Sequence, residues 1–253
     1  MTSLWLAAML IVVMGRNFTG LEELPNKCLH GKFQKKTSGP EELYLQCSPW
    51  QNRSCCTYKT TEQIHNGDIY NFNFNHCPDL MSAQCKSRFV QDLCFYECSP
   101  NIAPWIVKDT RTWRKERFYN VPLCASDCEA WFNDCAADFT CTDNWSKNFD
   151  WSNGSECTDG ECFRNSCPKE SKCMTFLEIY GNASNFCETV WDNSWKYTSD
   201  SEPCMRLWFN GTDGNPNDAV ALKYAHLVAS APNHSHNMWL TSMLVFWILL
   251  SAF

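Results

Sequence analysis

Eighteen cysteines lie between Cys28 and Cys204 of a 253-residue chain, and they limit the fold more than any other feature. An even, dense set in one stretch is the signature of a disulfide framework built in an oxidising compartment. Each native bridge contributes about 2–4 kcal/mol, so a domain stapled in this way needs less apolar burial than its length would otherwise demand. Zinc is the rival use of so many thiols. "CFYEC" and "CASDC" separate their cysteines by three residues, and no pair has the two-residue spacing of a zinc site.

The surroundings of the cysteines agree with secretion. Sequons fall at Asn52, Asn144, Asn153, Asn182 and Asn210. The opening "MTSLWLAAMLIVVMG" is uncharged and apolar from Leu4 to Met14, the length of a signal-peptide core, and predicts a signal peptide at 1–15. The other end, from Met238 to Phe253, is also uncharged. A polar "PNHSHN" and the small residues Ala229, Ser230 and Ala231 precede it. That order is the pattern of a glycosylphosphatidylinositol (GPI) signal, with Ser230 as the attachment site and 231–253 as propeptide. A spanning helix needs ~20 apolar residues and a charged flank to follow it, and the tail supplies neither. The expected localisation is the extracellular face of the plasma membrane, through a GPI anchor.

Residues 16–230 read as one compact domain, since no repeat, low-complexity run or long linker divides them. The fold class is α+β, mostly helical, with short strands and long disulfide-tied loops. "SDCEAWFNDCAADF" reads as a helix opening on a capping box, Ser126 and Glu129, with Cys128, Trp131, Cys135 and Phe139 on its buried stripe. In "SAQCKSRFVQDLCFYEC" the residues Cys85, Phe89 and Leu93 form a buried face, while Asp92 and Tyr96 share another. Helical spacing also groups Cys187, Trp191, Ser194 and Trp195, and a last helix carries Val220, Tyr224 and Leu227 on one side. "IYNFNF" is the strongest strand signal.

The cluster "TWRKER" stands out in a chain of formal net charge -7. As a helix it would aim Trp113, Arg114 and Arg117 the same way, an arrangement suited to a flat anionic or carbonyl-bearing partner. Tyr70, Phe72, Tyr96 and the many tryptophans between Trp50 and Trp208 extend the aromatic inventory. Nucleic acid as a partner is excluded by the acidic balance, because stacking on single strands needs a positive groove. No enzyme is indicated either: glycine-rich nucleotide loops are absent, and His30, His65, His76, His226, His234 and His236 sit in no nucleophile motif.

"CFYECSPNIAPW", "TWRKERFYNVPLC", "NWSKNFDW", "VWDNSWKY" and "WFNGTDGNPND" closely resemble the folate receptor family, and the likeness runs from about Cys28 to Tyr224. The resemblance implies a deep pocket that buries the pterin head of folate and leaves its glutamate tail at the mouth. Carried over residue by residue, Asp92 pairs with the pterin N1 and 2-amino groups, Tyr96 and Trp191 sandwich the ring, and Arg114, Arg117 and Ser194 serve its other polar edge. Tyr70, Phe72, Trp113 and Trp145 wall the aminobenzoate, Lys147 and Trp151 meet the glutamate, and Trp195 is an aromatic lid. Folate or 5-methyltetrahydrofolate is then a ligand and no cofactor is needed. A buried ligand of about 32 heavy atoms at ~0.3 kcal/mol each reaches on the order of 10 kcal/mol, hence nanomolar affinity.

Four positions depart from the family. Ser146 replaces its histidine, Asn148 a glycine, Phe149 a tryptophan and Trp195 a tyrosine. The chain also has two more cysteines than the family pattern, read as Cys162 and Cys167 paired with each other. Two alternatives to folate uptake by endocytosis share the scaffold. One is a cell-surface interaction protein of the Juno type, acting in adhesion or gamete recognition through a protein partner. The other is a carrier of another flat vitamin such as riboflavin.

Overall fold

The computed structural model describes residues 26–67, 69–110, 114–151 and 165–230, with the side chains of 228–230 left aside. Its organising element is the long helix α2 (Ala83–Cys98), preceded by α1 (Tyr58–Asn66). Ser82 caps α2 by accepting a hydrogen bond from the Cys85 amide, and Thr57 does the same for α1, which ends at Gly67 with φ +81°. Only glycine takes that left-handed turn without steric cost. Along α2, Cys85, Phe89 and Leu93 are buried as the periodicity predicts, and Cys94 is buried as well. Three bridges then pin the helix: Cys85–Cys135, Cys47–Cys94 and Cys56–Cys98. Any side chain on its remaining face therefore projects from a fixed rod.

Among the described residues the strands are short and form three two-stranded ladders. Antiparallel β1 (Ile106–Lys108) and β2 (Glu116–Phe118) make one, and parallel β3 (Val121–Cys124) and β6 (Trp195–Thr198) the second. Antiparallel β4 (Phe139–Thr140) and β5 (Met174–Thr175) make the third. Between them lie α3 (Ala125–Cys135), α4 (Phe176–Tyr180) and α5 (Ala183–Thr189), and α6 (Asn217–Ser230) closes the described chain. The mostly helical α+β class is as the sequence predicts. α4 opens on a full capping box, Thr175 with Glu178. In α5 the Asn182 side-chain oxygen caps the Asn185 amide.

Several local expectations are corrected. α3 starts at Ala125 with no side-chain cap, because Ser126 donates to Asp200 and Glu129 accepts from the Tyr197 hydroxyl. Those longer-range partners replace the expected box. The described part of "TWRKER", residues 114–117, is no helix: Glu116–Phe118 is strand β2, paired with β1. "IYNFNF" is no strand, since Tyr70 and Asn71 take φ of +57° and +49°. α5 stops at Thr189, and the helical grouping of Cys187 with Trp195 fails because Asp192 and Asn193 are left-handed and Trp195 opens β6. On α6 it is Ala221 and Ala225 that are buried, while Leu227 is exposed.

All sixteen described cysteines are paired, in eight bridges. Cys167 joins Cys141, so the expected Cys162–Cys167 pairing is wrong; Cys157 and Cys162 lie outside the described residues. The Asp150–Ser166 bridge of backbone bonds brings Cys167 back toward Cys141, a proximity that local spacing does not reveal. The His/Cys groups dense enough for a metal, around His76, Cys77, Cys141, Cys167 and Cys173, draw their sulfurs from two such disulfides. A disulfide has no thiolate to offer a zinc ion.

The core is aromatic. Trp145 stacks on Phe89 (4.6 Å, 7°) and on Phe72 (5.4 Å, 25°), and Trp131, Phe176 and Phe186 pack edge-on around Phe89. Such pairs add about 0.5–1.5 kcal/mol each beyond area burial. The indole N–H of Trp145 donates to the Thr140 hydroxyl at 3.0 Å, so this buried ring carries no orphaned donor. One face of the cluster is left open, and the cavity lies there. Among the described residues no helix is long and apolar enough to cross a membrane.

Candidate functional site

A cavity of about 280 Å³ opens against the α2 face that carries Asp92 and Tyr96. That is close to the lower end of small-molecule pockets, and its walls are of the usual kind, aromatic with a few polar groups. Asp92 lies at the buried end, 3% exposed. Its Oδ2 accepts from the Trp191 indole at 2.8 Å and its Oδ1 from the Trp195 indole at 2.9 Å. Burial pushes this carboxyl up to about 7, against the opposing pull of the Trp195 and Trp191 N–H donors. An ionised carboxylate has about four lone-pair sites, so one remains on each oxygen for a donor pair in the cavity.

The chain builds this arrangement with a turn rather than a helix. After α5, Asp192 and Asn193 adopt φ of +55° and +57°, a conformation that Asp and Asn tolerate better than other side chains. The Asn120 amide donates to the Asn193 carbonyl and the Val121 amide to the Ser194 carbonyl, which leads into the parallel β3–β6 pairing. Trp191 and Trp195 therefore meet at one carboxylate from opposite sides of a turn. Trp195 itself is fully buried behind Asp92 and does not line the cavity.

The second wall is Tyr70, Phe72 and Phe74. The alternation read from "IYNFNF" survives as three rings lining the cavity, although the backbone is irregular. A left-handed tyrosine is an outlier that surrounding structure must hold in place. Tyr70 is held by its hydroxyl, which donates to Glu97 at 2.5 Å, and by the edge of Phe33 at 4.9 Å. Glu97 is fully buried, also accepts from Gln34 at 2.5 Å, and is pushed up to about 8 by burial, opposed by the Tyr70 bond and the Arg114 charge.

Arg114, 9% exposed, closes a third side. Its Nε donates to Asp109 at 2.6 Å and a terminal nitrogen donates to the Tyr96 hydroxyl at 2.8 Å, which fixes the tyrosine ring beside the cavity. Ser194 and Ser146 complete the lining, and Trp151 and Lys32 stand at the more exposed end.

Most of the predicted site residues meet here: Tyr70, Phe72, Asp92, Tyr96, Arg114, Trp145, Ser146, Trp151, Trp191 and Ser194 all line one cavity. Three do not. Trp195 sits behind Asp92. Arg117, on β2, donates to the Asp192 carbonyl at 2.9 Å and faces its carboxylate at 3.4 Å. Lys147 pairs with the same carboxylate at 2.6 Å. Trp113 lies outside the described residues, as do Asn153 and the proposed signal and propeptide segments. Lys32, Ile69, Phe74, Leu93 and Phe118 also line the cavity and were missed by sequence reasoning. Phe74 alone had a signal, as the next step of the Tyr70–Phe72 alternation.

The chain matches the model of the folate receptor family over residues 27–206. It is 42% identical to folate receptor gamma from Homo sapiens over 218 residues, covering 83% of this chain and 85% of that one. Identity to folate receptor alpha from Homo sapiens is 36% over 260 residues, covering 98% and 97%. Riboflavin-binding protein from Gallus gallus is 32% identical over 200 residues, covering 78% and 75%. Matches of that length leave no doubt about descent, and with the disulfide-pinned helical domain and its aromatic cavity they show that this chain is a member of the folate receptor family, a family of binding and transport proteins rather than enzymes.

Proposed function

We propose that this chain binds folate and reduced folates, head first, in the Asp92 cavity, and that it acts as a receptor that takes them up by endocytosis. The observation that carries the reading is the Asp92 carboxylate, buried at the cavity end with both oxygens oriented by indole donors. The 2-amino and N3–H edge of a pterin, rather than its N1, which is a lone-pair acceptor, offers two parallel N–H donors to such a group, and each hydrogen bond to the charged acceptor contributes roughly 1.5–3 kcal/mol. In this reading Tyr96 and Trp191, both in the cavity lining, are the stacking surfaces, and Arg114 and Ser194, also in the lining, serve the opposite polar edge of the ring.

The termini fit a surface receptor. The signal peptide at 1–15 and the GPI signal, with Ser230 as acceptor, would hold the domain on the outer face of the plasma membrane. Asn52, Asn144, Asn153, Asn182 and Asn210 are the proposed glycan sites. At Asn182 the helix cap uses only the carboxamide oxygen, which leaves cap and glycan compatible.

The test is equilibrium binding of folic acid, 5-methyltetrahydrofolate and riboflavin to the secreted domain. Nanomolar folate binding that Asp92→Ala weakens by two or more orders of magnitude is expected. Tight riboflavin binding without folate binding would assign the chain to the carrier branch. Binding of neither would move the function to a protein partner at the cell surface.

A further inference from the structure

Two of the three cations that the family resemblance directs at the ligand are engaged by an internal partner. Lys147 and Arg117 come from separate segments and converge on Asp192, at 2.6 and 3.4 Å. Asn144 adds a third donor to the same carboxylate at 3.3 Å. Asp192 is 7% exposed, next to the cavity residue Trp191, and its left-handed backbone is locked by its own amide to the Thr189 carbonyl. It occupies the place of an anion that the protein itself supplies. Arg117 is largely enclosed with this partner, and Lys147, although its side chain is 60% exposed, has its charge neutralised by it, so a ligand carboxylate approaching either cation would meet the Asp192 charge beside it.

Lys32 is in the opposite situation. It lines the exposed end of the cavity and takes part in no ion pair among the described residues. Its ammonium lies 5.1 Å over the Phe33 ring, which in turn packs edge-on against the wall residue Tyr70. The ring fixes the cation beside the opening without neutralising it. Arg114, the other cation in the lining, is already paired with Asp109.

We propose that Asp192 withholds Lys147 and Arg117 from the ligand, and that Lys32 is the cation that reads an anionic ligand tail at the mouth. This rests on the folate reading above. Reading of the tail by one solvent-exposed cation is worth up to about five-fold in affinity, well short of what a buried pair would give.

The probe pair is folic acid and its tail diamide, which keeps the ring system and removes both negative charges. Affinities are measured by quenching of tryptophan fluorescence for the natural sequence, Lys32→Gln, Lys147→Gln and Asp192→Asn. The natural sequence should prefer folic acid by about five-fold. Lys32→Gln should abolish the preference and Lys147→Gln should change it by less than about two-fold, while Asp192→Asn, which tolerates the same backbone, should enlarge it. The proposal is overturned if Lys147→Gln erases the preference and Lys32→Gln does not, or if the natural sequence binds both probes equally. Absence of binding to either probe overturns the folate reading and this inference with it, and is told apart by the natural sequence alone.

Discussion

Lowering the pH from 7.4 to 5.5 should weaken folate binding about twenty-fold, through Asp92 alone. A pterin that presents its 2-amino and N3–H groups donates twice, so only the ionised carboxylate accepts it; presented by its N1 edge, where N1 carries a lone pair, it would instead favour the protonated acid and reverse the pH dependence. In the free protein that carboxyl sits at about 7, because burial outweighs the two indole bonds. With that value, about 0.7 of the protein carries the ionised form at pH 7.4 and about 0.03 at pH 5.5. If the complex holds the carboxyl ionised throughout, the ratio of those fractions is the loss of affinity, about 20-fold or ~1.8 kcal/mol. His76 adds nothing in this window, since burial lowers it to about 4. Titration calorimetry in two buffers of different ionisation enthalpy measures the same quantity independently: about 0.9 proton should be released per folate bound at pH 6. Asp92→Asn should bind at least about a hundred-fold more weakly and lose the dependence between pH 5.5 and 7.4. Affinity that stays flat to pH 5, or an Asp92→Asn protein that keeps the natural slope, would refute the reasoning.

The remaining predictions concern the same framework. Trp195→Phe keeps the buried ring but removes one N–H from Asp92, so the acid midpoint of folate binding should move up by about one pH unit, read from the affinity profile. Asp92 and Glu97 both titrate above their unfolded values, at about 7 and about 8. The unfolded chain therefore loses these protons first, and the ligand-free domain should lose thermal stability as pH rises from about 4 to 8, most of that slope disappearing in the Asp92→Asn/Glu97→Gln double variant. Tyr70→Phe leaves Glu97 short of a donor and should destabilise by about 1–3 kcal/mol in a urea titration. Peptide mapping without reduction should recover Cys141 linked to Cys167, and the Cys141→Ser/Cys167→Ser pair should cost about 3 kcal/mol.

Much of this was legible in the chain before any coordinates. Cysteine density gave the stapled domain, and the 3.6-residue stripe of α2 gave both its buried face and the opposing Asp92–Tyr96 face, because a helix turns side-chain spacing directly into geometry. What spacing could not supply were the contacts set by turns. Trp191 and Trp195 do converge, but through two left-handed residues and a parallel strand pair rather than a helix face. Arg117 looked like a ligand donor because its motif is read in isolation, whereas its partner, Asp192, is 75 positions away. The same distance effect misassigned Cys167. Lys32 carried no signal at all, since a single lysine near the start of a loop is indistinguishable from a solvated one until the cavity is seen.

The pairing of β3 with β6 also sets a timetable for synthesis. Helix α2, with Asp92, leaves the ribosome well before Trp191 and Trp195, and the bridges Cys128–Cys187 and Cys124–Cys204 that hold their segment cannot close until their later cysteines have emerged. Until then the Cys85–Cys135 thiols can already be joined while Asp92 has no indole to orient it. A nascent chain ending before β6 thus carries a half-built pocket whose rings are exposed to the oxidative folding machinery, and chaperone retention of such chains would make export itself a report on the integrity of the binding site.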